Sequence, residues 1–250
     1  MRFKNKVALL TGGARDIGKA IAIRLASEGA HVIINYAQSE EAAHITLSEI
    51  TAAGGKASLF KADLTKADEV KGLKDFVINT TGNKLDVLIN NAGGIVARKK
   101  LSDQDESFYD AVMDLNFKSL FLVTHAFADM LLKGSAIVNV SSLAARDGGG
   151  NGASLYAAAK GAITTYTRSL AKELGPSGIR INAVCPGLIS TAFHDKFTSN
   201  EVREKVVAST PLRREGTSEE VANLVAFLAS EEASFITGAN YDINGGIGLF

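Results

Sequence analysis

Val7-Ala8-Leu9-Leu10-Thr11-Gly12-Gly13-Ala14-Arg15-Asp16-Ile17-Gly18 is the stretch that decides the fold. Its first four residues form an unbroken apolar run, the pattern of a strand covered on both faces, and the glycines close it. A helical pattern follows, with Ile17, Ile21 and Leu25 spaced to share one face until Gly29 stops it. A strand, a glycine turn and a helix start together make an anion site. Glycine lets backbone approach a phosphate, and the helix end supplies free N–H groups and the positive end of its dipole. Tight turns use the same residues, so the motif points to a dinucleotide only within an alternating α/β chain.

The rest of the chain supplies that alternation. His31–Tyr36 reads as a second strand, and 37–53 as a helix ended by Gly54-Gly55. Further strands are predicted over Ala57–Phe60, Val87–Ile89, Ala136–Val140, Ile179–Val184 and Asn240–Ile243, with helices around 66–80, 104–132, 153–174 and 218–229. Alternation implies right-handed crossovers. The fold class is therefore α/β: a Rossmann-type doubly wound parallel sheet of about seven strands with helices on both faces. No repeat, low-complexity tract or linker interrupts it, so residues 1–250 read as a single domain. The segment 187–214 lacks a strand pattern and is expected to form a lid over a site.

Composition narrows the function. Lys+Arg and Asp+Glu both number 27, no block of like charge stands out, and neither nucleic acid nor an acidic membrane is expected as a partner. No stretch approaches the ~20 apolar residues of a membrane span. The N-terminus reads as a strand rather than a signal peptide. Cys185 is the single cysteine, which fits a reducing cytoplasm and leaves no intrachain disulfide. No metal site is expected.

Tyr156-Ala157-Ala158-Ala159-Lys160 carries the chemistry. Residues four apart on a helix share a face, so the phenol and the ammonium can meet one ligand. A phenol with its ordinary pKa near ~10 exchanges protons poorly at neutral pH, and an adjacent cation would lower it. Such a pair is common on ordinary helices. It gains meaning from Ser142, fourteen residues earlier at a strand end, with Ser141 as the neighbouring candidate.

Taken together, these motifs resemble the short-chain dehydrogenase/reductase family over nearly the whole chain. The resemblance implies direct hydride transfer between a nicotinamide and a carbonyl carbon. Tyr156 would protonate the developing alkoxide, Ser142 would hydrogen-bond the carbonyl oxygen, Lys160 would orient the ribose and tune Tyr156, and Asn116 would support a proton relay. It also implies a cofactor site. Its members are Gly12, Arg15, Asp16, Ile17 and Gly18 in the turn, Asn35 and Tyr36 at the second strand's end, and Asp63-Leu64 after the third strand. Asn91-Ala92-Gly93, Pro186-Gly187, Ile189 and Thr191 complete it, beside Tyr156 and Lys160. Asp16 stands where the family's middle glycine lies; it is expected to cap the helix or to pair with Arg15. No acid ends the second strand, and Arg15 could meet a 2′-phosphate, so NADPH/NADP is expected over NADH/NAD.

Arg98, Arg146 and His194 fall in the loops expected around a substrate and would suit an anion. The segments Asn91–Lys99, Phe108–Asp114, Gly148-Gly149-Gly150 and Thr191–His194 resemble bacterial reductases of the alginate monomer 4-deoxy-L-erythro-5-hexoseulose uronate, whose product is 2-keto-3-deoxygluconate. The alternatives are a 3-oxoacyl-(acyl-carrier-protein) reductase and, from another class, a non-catalytic NADP(H)-binding sensor. The family resemblance further implies a homotetramer, with Ala157, Ala158, Ala159, Gly161, Ala162 and the tail Ile247–Phe250 as candidate contact surface.

Overall fold

The computed structural model describes residues 1–192 and 197–250. Seven strands build one sheet: β1 (Val7–Leu10), β2 (His31–Tyr36), β3 (Lys56–Lys61), β4 (Leu85–Asn90), β5 (Leu131–Val140), β6 (Arg180–Pro186) and β7 (Asn240–Ile243). Their order is β3-β2-β1-β4-β5-β6-β7, and every pairing is parallel. The order reverses between β1 and β4, which leaves a crevice beyond their carboxyl ends, the usual place for a ligand in an open α/β sheet.

The period of two along the strands assigns the core. Ala8, Leu10, Val32, Ile34 and Val138 face one side, where they pack with Ile21 and Leu25 of α1 (Asp16–Ser27). Leu9, Ile33, Leu88 and Ile137 face the other, against Leu73, Val123, Phe127 and Leu170. Each fully buried Leu, Ile or Phe contributes roughly 1.5–3 kcal/mol, so two such layers hold the sheet without disulfides. Among the described residues the remaining α-helices are α2 (Glu40–Ala52), α3 (Ala67–Thr81), α4 (Glu106–Met113), α5 (Ser119–Phe127), α6 (Ala144–Asp147), α7 (Ser154–Leu174), α8 (Asn200–Ser209) and α9 (Ser218–Ala229). Two helix starts are written in side chains: Asp105 accepts from Phe108 N, and Thr217 with Glu220 forms a capping box.

The structure corrects the sequence reading in two places. The single helix expected over 104–132 is α4, a π turn at Asp114–Lys118 and α5, with β5 already under way at Leu131. The early start of β5 rests on Ser135, whose hydroxyl donates to Leu85 O and accepts from Leu132 N across an irregular pairing. The segment expected as a lid carries α8, and Ile189 and Gly216 tie its two ends in a parallel bridge.

Candidate active site

A cavity of about 380 Å³ opens at the carboxyl ends of the central strands. One wall is the glycine turn, Gly12 with Arg15, Asp16, Ile17 and Gly18; another carries Ser142, Tyr156 and Lys160. Asn91, Gly93, Pro186, Gly187, Ile189 and Thr191 also line it. Arg98 reaches its rim, while Ile95, Leu188, Val202 and Val206 give it an apolar flank.

The turn is built to let a ligand approach. A Cβ on Gly18 would sit 2.1 Å from Gly12 O, so only glycine lets the helix start close against the strand end. Asn91 donates through Nδ2 to Thr11 O and Gly12 O, while Thr11 Oγ1 accepts from Asn91 N and Ala92 N. These bonds fix the turn against β4. The turn thus fits a dinucleotide pyrophosphate, and no acidic side chain ends β2 to exclude a 2′-phosphate.

The candidate catalytic groups are held from behind. Lys160, 3% exposed, donates from Nζ to Val140 O at 2.9 Å. Ser141 turns inward and donates to Lys160 O, while Ser142 Oγ accepts from Ala144 N at 3.1 Å and stands close to the Tyr156 hydroxyl. Asn116, fully buried in the π turn, accepts from Gly94 N through Oδ1 and donates through Nδ2 to Gly94 O and Val112 O. A Cβ on Gly93 would come within 2.8 Å of Asn116 Oδ1 and 3.1 Å of Lys160 Nζ. With φ +151°, that residue brings backbone where a side chain would displace both. π turns are frequent at functional sites. Here the extra residue turns Asn116 onto the Gly93–Gly94 loop.

Charge differs from the sequence expectation. Burial holds the Tyr156 hydroxyl above the ordinary phenol range, outweighing the nearby Ser142 hydroxyl and the Arg98 charge. Burial also pulls the Lys160 ammonium down to about 8. Tyr156 therefore stays protonated at neutral pH, the state a proton donor requires. The lowering expected from the four-residue spacing gives way to desolvation, although Lys160 Nζ lies 5.8 Å from the Tyr156 ring centre.

Several expected residues sit outside the cavity wall. Asn35 is 2% exposed; it donates to Ala62 O at 3.1 Å and faces Gly12 N at 3.5 Å, bracing the turn and the edge of β3. Tyr36 packs with Ala14 and Ala43. Asp63 accepts from the backbone and hydroxyl of Thr65 ahead of α3, Leu64 is core, and Ala92 is bound to Thr11. Asn116 acts on the loop rather than facing the cavity. Arg146 turns away to pair with Asp242 at 3.2 Å and donates to Asn240 O, because α6 points it along β7. His194 lies outside the described residues. Asp16 does not cap α1; it adopts a left-handed backbone, φ +51°, accepts from Ala192 N at 3.1 Å and lies 3.6 Å from the Arg15 guanidinium. Missed by sequence reading were Asp147 and the apolar flank from α8, since side chains scattered over loops carry no periodic signal.

Comparison with known proteins agrees with this geometry. A family model described as enoyl-(acyl carrier protein) reductase matches residues 12–248. A 3-oxoacyl-(acyl-carrier-protein) reductase of Synechocystis is 41% identical, covering 98% of each chain. A Burkholderia cenocepacia short-chain dehydrogenase in complex with NADP is 36% identical with a TM-score of 0.93 over 100% of both chains. A reductase described as NADH-dependent and responsible for alginate metabolism is also 36% identical, with a TM-score of 0.91 over 99% of both. The chain belongs to the short-chain dehydrogenase/reductase family. It is an NAD(P)H-dependent oxidoreductase. Among the described residues no helix is long and apolar enough to cross a membrane, and no cluster of metal-ligating side chains occurs.

Proposed function

We propose that the chain reduces a ketone by hydride transfer, with Tyr156 as proton donor and a 3-oxoacyl thioester as substrate. The convergence of Tyr156, Ser142 and Lys160 on a cavity that also contains the glycine turn carries the reaction type. The bound nicotinamide supplies the hydride. Ser142 hydrogen-bonds the carbonyl oxygen, and the protonated Tyr156 delivers its proton there as negative charge develops. Lys160, drawn back against Val140 O, orients the cofactor ribose beside Tyr156. Asn116 acts as a positioning residue, holding Gly93–Gly94 so that this backbone and Lys160 keep their spacing.

The thioester reading is supported by the 41% identity to 3-oxoacyl-(acyl-carrier-protein) reductase along the full chain, and by the apolar flank, which suits an acyl chain. One observation favours a second reading. Arg98, beside Tyr156 at the rim, would suit the carboxylate of a uronate, and one structural relative is described as responsible for alginate metabolism. Intact Ser142, Tyr156 and Lys160 speak against a mere sensor. NADPH is proposed as the preferred cofactor, since Arg15 faces the cavity and β2 ends without an acid. A homotetramer is proposed through the face of α7 with exposed Ala158 and half-buried Gly161 and Ala162; Ala157 and Ala159 are buried inside the fold. A single panel tests the substrate: kcat/KM for a 3-oxoacyl thioester and for the alginate-derived uronate, each with NADPH and NADH. Higher kcat/KM for the thioester is expected. Turnover of the uronate alone replaces the first reading with the second, and turnover of neither overturns both.

A further inference from the structure

Asp16 occupies a backbone conformation that L side chains seldom adopt. Among residues with a Cβ, Asp and Asn tolerate that region best, and glycine tolerates it more easily still. The conformation aims the carboxylate across the mouth of the crevice. One oxygen accepts from the backbone N–H of Ala192 at 3.1 Å; the other lies 3.6 Å from the Arg15 guanidinium. Glycine could make neither contact.

The far partner stands where a link has leverage. Leu188 and Ser190 are bonded through their backbones to Gly216, so that stretch is already held on its outer side. Asp16 ties the residues just beyond it back to the glycine turn. Closing the crevice from both sides hinders departure of whatever lies on the turn. The same carboxylate competes with a bound phosphate for Arg15, since both are anions seeking one guanidinium.

We propose that Asp16 is a positioning and specificity-determining residue. Its carboxylate clasps Ala192 across the cofactor crevice, slowing dinucleotide release, and its partial neutralisation of Arg15 blunts discrimination between NADPH and NADH. The inference rests on the cofactor reading above. The two contacts are separable. Asn keeps the oxygen acceptor and tolerates the left-handed backbone, but loses the charge; Gly loses both and relieves the strain, so folding is not at risk.

The test is stopped-flow release of NADPH and NADH from wild type, Asp16→Gly and Asp16→Asn, followed by nicotinamide fluorescence, with equilibrium titrations alongside. Release of both dinucleotides from Asp16→Gly is expected to be about three- to tenfold faster, the size of one partly exposed charge-assisted hydrogen bond. Asp16→Asn is expected to release NADH at close to the wild-type rate while favouring NADPH over NADH by about threefold more than wild type, as a weak surface ion pair allows. Unchanged release from Asp16→Gly overturns the clasp, and an unchanged affinity ratio in Asp16→Asn overturns the role toward Arg15. Failure of wild type to bind either dinucleotide overturns the cofactor reading and the clasp with it.

Discussion

The two walls of the cavity are held in different ways. On the catalytic wall, Lys160 is bonded to the backbone of β5, Ser141 to the backbone of α7, and Asn116 to the Gly93–Gly94 loop, all within the buried core. On the rim wall, where the proposed substrate would lie, loops hold loops: Arg98 donates to Asn151 O and Phe197 O, and Asp147 accepts from Gly149 N. The first wall cannot change without disturbing the sheet, whereas the second can be rebuilt by altering exposed residues. In the proposed function, reaction type therefore rests on the buried wall and substrate choice on the exposed rim.

The largest effect is expected on the fixed wall. Tyr156→Phe removes the proton donor and should lower turnover by roughly 10²–10⁴-fold, leaving dinucleotide affinity within about twofold; steady-state rates and a cofactor titration measure both. Turnover near wild type would break the contrast outright.

Lys160 is the next probe. Its folded pKa of about 8 lies below the ordinary 10.5, so charging it costs stability in the folded state. That penalty is complete below pH 8 and fades as pH rises toward 10.5. Wild type should gain stability relative to Lys160→Met across this window, on the order of 3 kcal/mol in all. Thermal melts of the two proteins at pH 7.5 and 10 check the sign; a constant difference would mean that Lys160 is not buried as a costly cation.

Arg146→Ala should cost stability and spare catalysis. It strands Asp242, which is largely buried, at a loss of roughly 2 kcal/mol, while KM for any substrate stays unchanged. A raised KM would return Arg146 to the rim wall. Arg98→Ala sharpens the contrast most finely. It should raise KM for the uronate about tenfold, the loss of one exposed charge-assisted contact, and alter KM for the thioester little. Equal effects on both substrates would mean that Arg98 only braces the loops around Asn151 and Phe197.

The same contrast explains what the sequence disclosed. The glycine turn, the strands and Tyr156 with Lys160 were legible because period, punctuation and helical spacing are local properties. The π turn around Asn116 was not, because one extra residue leaves the apolar pattern of its flanking helices intact. Arg146 was misplaced because a cation in a loop has no signal for its direction, and Asp242 lies ninety-six residues further on. Asn35 looked like a cofactor contact from its place at a strand end; its buried amide proved to brace the neighbouring backbone. The opposing effects of burial on Tyr156 and Lys160 depend on the surrounding core, which no four-residue motif contains.

Mass spectrometry of the product tests hydride transfer itself. The wild-type enzyme is given NADPH carrying two deuterium atoms at nicotinamide C4, with the 3-oxoacyl thioester, in ordinary water. The expected product carries one deuterium, on the carbon that bore the ketone, and a solvent-exchangeable proton on its oxygen. A reduced product without deuterium at that carbon would contradict direct transfer from the nicotinamide to a carbonyl.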